Sequence, residues 1–264
     1  MTRRNRKQGR LNATALLAGA CVLIVVLAGT LALLLTTGGD DSTDDGVKRA
    51  VIVDQLSLTN PSADFISEAR GTLAAAGYTV EYVSGENVTV DTYRSLPDRG
   101  YDLVILRVHA GITTEIDAAT GERTGTEYVS LFTGEAYDQG KYSEEQLNRL
   151  GSARYDENSD PLFGIGPAFI EDSMRGDFGG AVVIMMGCDG LRSQRTAEAF
   201  LNRGASAFVS WSKPISASHT DRATEALLER LLIDDLPIED AVAQTAAEVG
   251  PDPVYEGELR ILTS

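Results

Sequence analysis

Two residues with reactive side chains follow apolar segments of the sequence. His109 ends residues 101–109, and Cys188 comes shortly after residues 181–186. Compact apolar runs of this kind predict buried strands of a parallel sheet. Ligands bind beyond the carboxyl ends of such strands, and neighbouring parallel strands lie ~4.8 Å apart. We therefore expect the thiol and the imidazole to lie a few ångströms from each other.

A thiol beside an imidazole is a nucleophile with a proton shuttle. The thiolate attacks a carbonyl carbon, and the protonated histidine supplies the proton that the leaving amine needs. A helix that starts after Cys188 adds N–H donors and a positive dipole end, which favour a thiolate and an oxyanion. Taken separately, His109 and Cys188 could each be an ordinary core residue. Their joint placement, in a chain with two histidines and two cysteines, favours catalysis.

The elements that must position these residues alternate along the chain. Strands alternating with helices, each strand a nearly continuous apolar run, predict an α/β fold whose mostly parallel sheet carries helices on both faces. We predict strands at residues 50–54, 79–83, 101–109, 181–186 and 207–211, helices at 61–76, 193–202, 218–232 and 238–249, and an edge strand at 258–262.

Residues 112–177 break this alternation and predict an insertion on the carboxyl-end side of the sheet. Residues 113–116 and 127–132 flank a turn sequence and predict a β-hairpin. Ser143 with Gln146 forms a capping-box pattern, which predicts a short helix.

The segments that contain His109 and Cys188 resemble motifs of one enzyme group. Residues 101–111 are an apolar strand that ends in histidine with a glycine close behind, and they resemble the histidine motif of caspases, gingipains, legumains and bacterial CHAT peptidases. Residues 181–190 resemble the cysteine motif of the same group, and residues 196–211 (TAEAFLNRGASAFVSW) resemble its continuation in CHAT and gingipain-like proteins. The resemblance covers roughly residues 50–232. It implies a caspase-like fold and a cysteine endopeptidase that acts on a protein or peptide substrate.

The resemblance also implies roles for particular residues. Cys188 attacks the peptide carbonyl, His109 assists, and the backbone N–H groups of Cys188 and of Gly111 or Ala110 bind the oxyanion. The group usually has glycine directly after the histidine, whereas this chain has Ala110 and then Gly111.

Five further residues are candidates for substrate binding. Trp211 and Ser212 end the fifth predicted strand, where the substrate backbone pairs in proteins of this group. Asp189 and Asp172 could bind a basic side chain of the substrate or could simply be solvated. His219 begins a helix on the same side of the sheet, where it could rim the pocket or serve as a cap or surface residue.

The remaining motifs give no sign of a metal or a cofactor. The sequence has no H-E-x-x-H, no G-x-S-x-G and no P-loop lysine motif. Two histidines and one thiol outside the apolar N-terminal stretch are too few for an ordinary zinc site. We therefore expect neither a metal nor a cofactor.

The N-terminal region predicts a membrane anchor. Residues 13–35 hold no charged side chain, and a helix of this length crosses the ~30 Å hydrocarbon core. We predict a basic cytoplasmic tail at residues 1–12, an uncleaved transmembrane helix at 13–37, a flexible tether at 38–46 and an α/β domain at 47–264. Five basic residues precede the apolar stretch, so the N-terminus is expected in the cytoplasm and the domain outside it.

Charge also limits the partners of the domain. All 39 acidic residues and all but five of the 23 basic residues follow the apolar stretch, which leaves that part with a formal charge of −21. Such a charge repels nucleic acid. We therefore expect a peptidase anchored in the membrane. The alternatives are an inactive caspase-like binding module and an unrelated sensor domain whose thiol is structural.

Overall fold

The structure is a computed structural model that describes residues 46–117, 119–146 and 149–264. Val47–Ser264 form one compact unit. The predicted tail at residues 1–12 and anchor at 13–37 lie outside the described residues, as does the tether at 38–46 apart from Gly46. No helix within the described ranges combines the length and the apolar character that crossing a membrane requires.

Strands and helices alternate along most of the described chain. The strands are β1 (Arg49–Asp54), β2 (Thr79–Ser84), β3 (Leu103–Arg107), β4 (Ala110–Ile116), β5 (Arg123–Ala136), β6 (Leu150–Ala153), β7 (Leu162–Ile165), β8 (Val182–Met185), β9 (Ala207–Trp211) and β10 (Leu259–Thr263). The α-helices are α1 (Ala63–Ala75), α2 (Val90–Ser95), α3 (Pro167–Asp172), α4 (Arg195–Asn202), α5 (Ala217–Leu228) and α6 (Ile238–Val249).

The central sheet has six strands in the order β10-β9-β8-β3-β1-β2. Its neighbouring strands are parallel except for β10, which runs antiparallel to β9 at the edge. The inner strands are buried on both faces, because alternate side chains of β1 enter different core layers: Val51 and Val53 one layer, Ala50 and Ile52 the other. This arrangement confirms the predicted mixed α/β fold with a mostly parallel sheet.

Helices cover both faces of the central sheet. One face packs against α1, α5 and α6 through side chains such as Phe65, Leu227 and Val242. The other face packs against α2, α3 and α4, with Phe169 and Phe200 in the layer. The predicted helix at 218–232 is shorter than expected, because α5 ends at Leu228 and a π-helical turn follows at Glu229–Ile233.

A second sheet occupies much of the segment that breaks the alternation. Its four strands are antiparallel, in the order β4-β5-β7-β6, and β4 with β5 forms the predicted hairpin. The predicted helix at Ser143 is absent from the described residues 143–146, which form hydrogen-bonded turns that start at Tyr142, a residue with φ of 54°. A single turn fixes too few residues to count as a helix.

The ends of β3 and β8 stay close to each other beyond the paired residues. The two strands pair in parallel up to Leu106 and Met185, and the N–H of Met186 then donates to the carbonyl of Leu106 at 2.9 Å. A Cβ at position 187 would lie 2.4 Å from the carbonyl oxygen of Val108, so only glycine lets the two segments approach this closely. Continuing the register places His109 opposite Cys188.

Candidate active site

His109 and Cys188 line the same cavity, which lies beyond the carboxyl ends of β3 and β8 and has a volume of about 430 Å³. In extended strands alternate residues face the same side of a sheet. By this alternation His109 follows Ile105 toward the face that α1 and α5 cover. Cys188 lies in the turn after β8 and packs against the cluster of Trp211, Ile215 and Ala223, the last of these on α5. The other residues around the cavity are Leu56, Asn60, Val108, Met186, Gly187, Pro214, Ile215, Ser216, Ala217, Thr220 and Tyr255.

His109 is held at its backbone and at its ring. Its N–H donates to Oε1 of the buried Gln55 at 2.9 Å, and its Nε2 lies 2.8 Å from Oγ1 of Thr59. The ring of Tyr155 stacks on the imidazole with the centroids 5.4 Å apart. In the tautomer whose Nε2 donates to Thr59, Nδ1 is the nitrogen that can accept a proton.

The surroundings of His109 favour the neutral imidazole. Burial lowers the pKa of His109 below its usual range, and the positive charge of Arg107 lowers that pKa further. Desolvation and a nearby like charge both penalise the imidazolium form.

The sulfur of Cys188 contacts the loop between β9 and α5. The N–H of Ile215 donates to Sγ at 3.5 Å, and Sγ lies 3.7 Å from the carbonyl oxygen of the same residue. Burial raises the pKa of the Cys188 thiol, the Ile215 N–H lowers it, and the carboxylates of Asp189 and Asp252 raise it. No hydrogen bond joins Sγ to the imidazole in the part of the chain that the structure describes. The resting pair is therefore a thiol and a neutral imidazole near pH 7.

A buried ion-pair cluster lies beneath the imidazole. Arg107 is fully buried, and its Nη1 donates to Asp54 at 2.8 Å. Its Nε and Nη2 donate to the two carboxylate oxygens of Asp221 on α5, at 2.8 and 2.9 Å. Nη2 also donates to the carbonyl of Asn60 at 2.9 Å, next to Thr59. The cluster thus fixes the loop that holds the ring of His109.

Pairing in the second sheet distinguishes the two candidate oxyanion donors that follow His109. The N–H of Phe132 donates to the carbonyl of His109 at 2.9 Å, and Ala110 and Gly111 come next in the β4–β5 register. Antiparallel pairing alternates, so Gly111 faces β5 whereas the N–H of Ala110 points to the opposite side of β4. The side chain of Ala110 also borders the space beside Gly187. Of the two, Ala110 has the N–H that points away from β5, although neither residue lines the cavity, and the oxyanion role of both stays a prediction.

The cavity lining does not include Trp211, Ser212 or His219. Trp211 is 1% exposed and donates from Nε1 to Thr220 at 2.9 Å. The N–H of Ser212 donates to the carbonyl of Glu258 at 3.0 Å. The segment that leads into β10 therefore occupies the edge of β9 to which the substrate backbone was expected to bind. His219 is buried between Arg222, which donates to Nδ1, and the carbonyl of Gly250, which accepts from Nε2.

The two acidic residues that were predicted to bind a basic substrate side chain also lie outside the cavity lining. Asp189 is buried, with a left-handed φ of 60°, and its nearest charge is Arg192 at 3.8 Å. Asp172 is exposed at the end of α3 and pairs with Arg149 at 3.1 Å. The substrate-binding roles of these residues stay predictions.

Several residues that shape the site carry no strong sequence signal. Gln55 begins a short 3₁₀ helix, Gln55–Leu58, and Thr59 and Tyr155 lie in loops. All three are ordinary polar residues there, and Ile215 contributes through its backbone. Arg107 does have a signal, because a charged residue inside the apolar run 103–108 must find a buried partner. Among the described residues, no group of three or more His, Cys, Asp or Glu side chains could hold a metal ion.

Comparisons with known proteins give one structural similarity to report. No protein-family model matches the sequence, and no curated protein matches it. Ten chains of solved structures match. One is the Arg-specific cysteine proteinase gingipain R, at 13% sequence identity and a TM-score of 0.42. The match covers 76% of this chain and 42% of that one, so this chain spans less than half the length of that proteinase.

We predict that Arg107→Met destabilises the fold by about 3–5 kcal/mol, because it leaves Asp54 and Asp221 buried without their cation. Urea unfolding followed by circular dichroism measures the change. Arg99→Met is the matched control, since the Arg99–Glu81 pair is more than one-third exposed on both sides and its loss should cost less than about 1 kcal/mol. Equal effects of the two substitutions would contradict the importance of the buried cluster.

We also predict that iodoacetamide alkylates Cys188 at a rate that rises with pH, with a midpoint above the ~8.5 of a free thiol. The reason is that burial raises the pKa of this thiol and the thiolate is the reactive form. Mass spectrometry of the Cys188 peptide between about pH 6 and pH 10 gives the profile. A rate that stays high at the acidic end, and is lost in His109→Gln, would instead show a resting thiolate–imidazolium pair.

Proposed function

We propose that the chain is a cysteine endopeptidase of the caspase, gingipain and CHAT group, with Cys188 as nucleophile and His109 as general base and acid. The single observation that supports this most is the shared cavity, which is lined by both residues beyond the ends of two adjacent parallel strands. The motifs at residues 101–111 and 181–190 support the same group.

In the first step the thiol proton moves to Nδ1 of His109 while Sγ attacks the carbonyl carbon of the substrate. When Nε2 donates to Thr59, Nδ1 carries the lone pair that this transfer needs. The thiol must leave Ile215 as it turns toward the substrate, and Thr59 keeps the ring from rotating with it. The transfer starts from a neutral pair, so bound substrate is needed to favour the charged products.

The carbonyl oxygen becomes an oxyanion when the C–S bond forms. The backbone N–H groups of Ala110 and Cys188 are the proposed donors to this oxygen. The imidazolium then gives its proton to the amide nitrogen, the C–N bond breaks, and the amine leaves. Water, deprotonated by His109, attacks the thioester carbonyl, releases the acid and returns the proton to sulfur.

A second candidate is an inactive relative that uses the same fold to bind a partner or to sense a ligand. The contact between Sγ and the backbone of Ile215 favours it, because the thiol has a stable partner other than His109. The segment 112–177, which includes the second sheet, would then form the contact surface. Such a protein alkylates at Cys188 yet cleaves no peptide.

We predict that the purified full chain cleaves members of a peptide library and that Cys188→Ala abolishes the cleavage, because the thiol of Cys188 is the strongest nucleophile among the groups that line the cavity. His109→Gln should lower the rate by about 10²–10⁴-fold. Mass spectrometry of the digest reads out the products. Cys21→Ala, which removes the other cysteine of the chain, is the matched control and should cleave like the parent. Identical digests by the parent and Cys188→Ala would disprove the peptidase.

We further propose that residues 13–37 anchor the protein in a membrane, with residues 1–12 in the cytoplasm and the domain at 47–264 outside. The basic tail and the uncharged apolar stretch support this orientation. The exported domain meets protein or peptide substrates there and no nucleic acid.

We predict that protease added to intact cells degrades a tag placed after residue 264 and spares a tag before residue 1, because basic flanks stay in the cytoplasm. Immunoblots before and after cell lysis measure both tags. A C-terminal tag that resists until lysis would place the domain on the other side.

A further inference from the structure

We infer that the cavity beside Cys188 selects a substrate whose side chain before the cleaved bond is apolar and uncharged. This inference rests on the proposed peptidase function and names the substrate class of the same site. The carbonyl carbon of that residue must reach Sγ, so its side chain enters the space immediately around the sulfur. The walls of this space therefore set the preference.

The walls carry no charged side chain among the residues that the structure describes. Apolar groups of Leu56, Met186, Ile215 and Ala217 form much of the surface, and Tyr255 closes one side. The polar members are the hydroxyls of Ser216, Thr220 and Tyr255 and the amide of Asn60, besides Cys188 and His109. Each Å² of apolar surface removed from water contributes roughly 25 cal/mol of favourable free energy, so burial of an aliphatic substrate side chain in this cavity favours binding.

The carboxylates nearest to the cavity are those of Asp189, Asp221 and Asp252. Asp189 lies outside the lining, and its buried Oδ1 has no hydrogen bond but lies 3.8 Å from Arg192. Both oxygens of Asp221 accept hydrogen bonds from Arg107. Asp252 accepts from the N–H and the hydroxyl of Ser216 on one oxygen, and from the N–H groups of Val254 and Tyr255 on the other. A lysine or arginine of a substrate therefore meets no carboxylate in the described lining of the cavity, and a buried charge without a partner is costly.

An acidic side chain is disfavoured even more strongly. The two carboxylates of Asp54 and Asp221 exceed the single charge of Arg107, and Asp252 adds another negative charge near the cavity. We therefore expect the order apolar, then basic, then acidic. This order differs from the basic preference that Asp189 and Asp172 suggested, because neither of those residues lines the cavity.

Cleavage of fluorogenic peptides that differ only in the residue before the cleaved bond tests the inference with the full chain. We expect kcat/KM for norleucine or leucine to exceed that for arginine by about tenfold or more, with aspartate lowest. Preferred cleavage after arginine, lysine or aspartate would overturn the inference while leaving the peptidase intact. Absence of any cleavage that depends on Cys188 would defeat the proposed function.

A substitution that adds a negative charge to the cavity wall should shift the substrate preference toward arginine. Ala217→Asp places a carboxylate in the cavity wall at the first residue of α5, where an acidic residue suits the helix dipole. It should raise the arginine-to-norleucine ratio of kcat/KM by about tenfold. Ser218→Asp adds the same charge at the next, exposed position outside the lining, and it should leave the ratio within about twofold. Equal ratios in the two variants would overturn the inference.

A binding measurement keeps the inference testable without catalysis. Thermal shift of Cys188→Ala with short peptides that end in leucine, arginine or aspartate amide ranks the three side chains directly. The largest stabilisation is expected for leucine. A larger stabilisation by the arginine or the aspartate peptide would contradict the apolar selection, whether or not the parent cleaves.

Discussion

The buried guanidinium of Arg107 is the constraint on which the rest of the site depends. A charge placed in a protein interior costs several kcal/mol unless partners surround it. Asp54 at the end of β1, Asp221 on α5 and the carbonyl of Asn60 supply those partners, so one side chain connects the sheet, a helix and a loop. The position of that loop in turn sets Thr59 against the ring of His109.

The parallel sheet accounts for the meeting of His109 and Cys188. Parallel strands end at a common edge, and the register of β3 and β8 brings corresponding residues opposite each other. Gly187 allows the two segments to remain close after the strands end. Backbone geometry thus brings Cys188 and His109 to one cavity, whereas their immediate surroundings shift the pKa values of the thiol and the imidazole.

Much of the fold could be predicted from the sequence because apolar runs and helix-capping residues are local signals. Residues 207–211 and 238–249 have the bounds that their patterns predict. The short strands β6 and β7 hold four residues each, too few to show a period. At the site, the two reactive residues could be inferred from strand ends. The contacts of Gln55, Thr59 and Ile215 could not, because they depend on loop conformation and on backbone groups that every residue has.

The cluster around Arg107 also bears on the order in which the protein matures. Arg107 and Asp221, which form an ion pair, are 114 positions apart in the sequence. The sulfur of Cys188 contacts Ile215, which lies 27 positions further along. Contacts between such distant segments form late, since the intervening chain must first lose its freedom. A ribosome-bound chain that has been synthesised only as far as Cys188 therefore has the thiol. It still lacks the cavity-lining residues that come later in the sequence, from Pro214 to Tyr255. Any reactivity built on this cavity is withheld until synthesis has passed Tyr255.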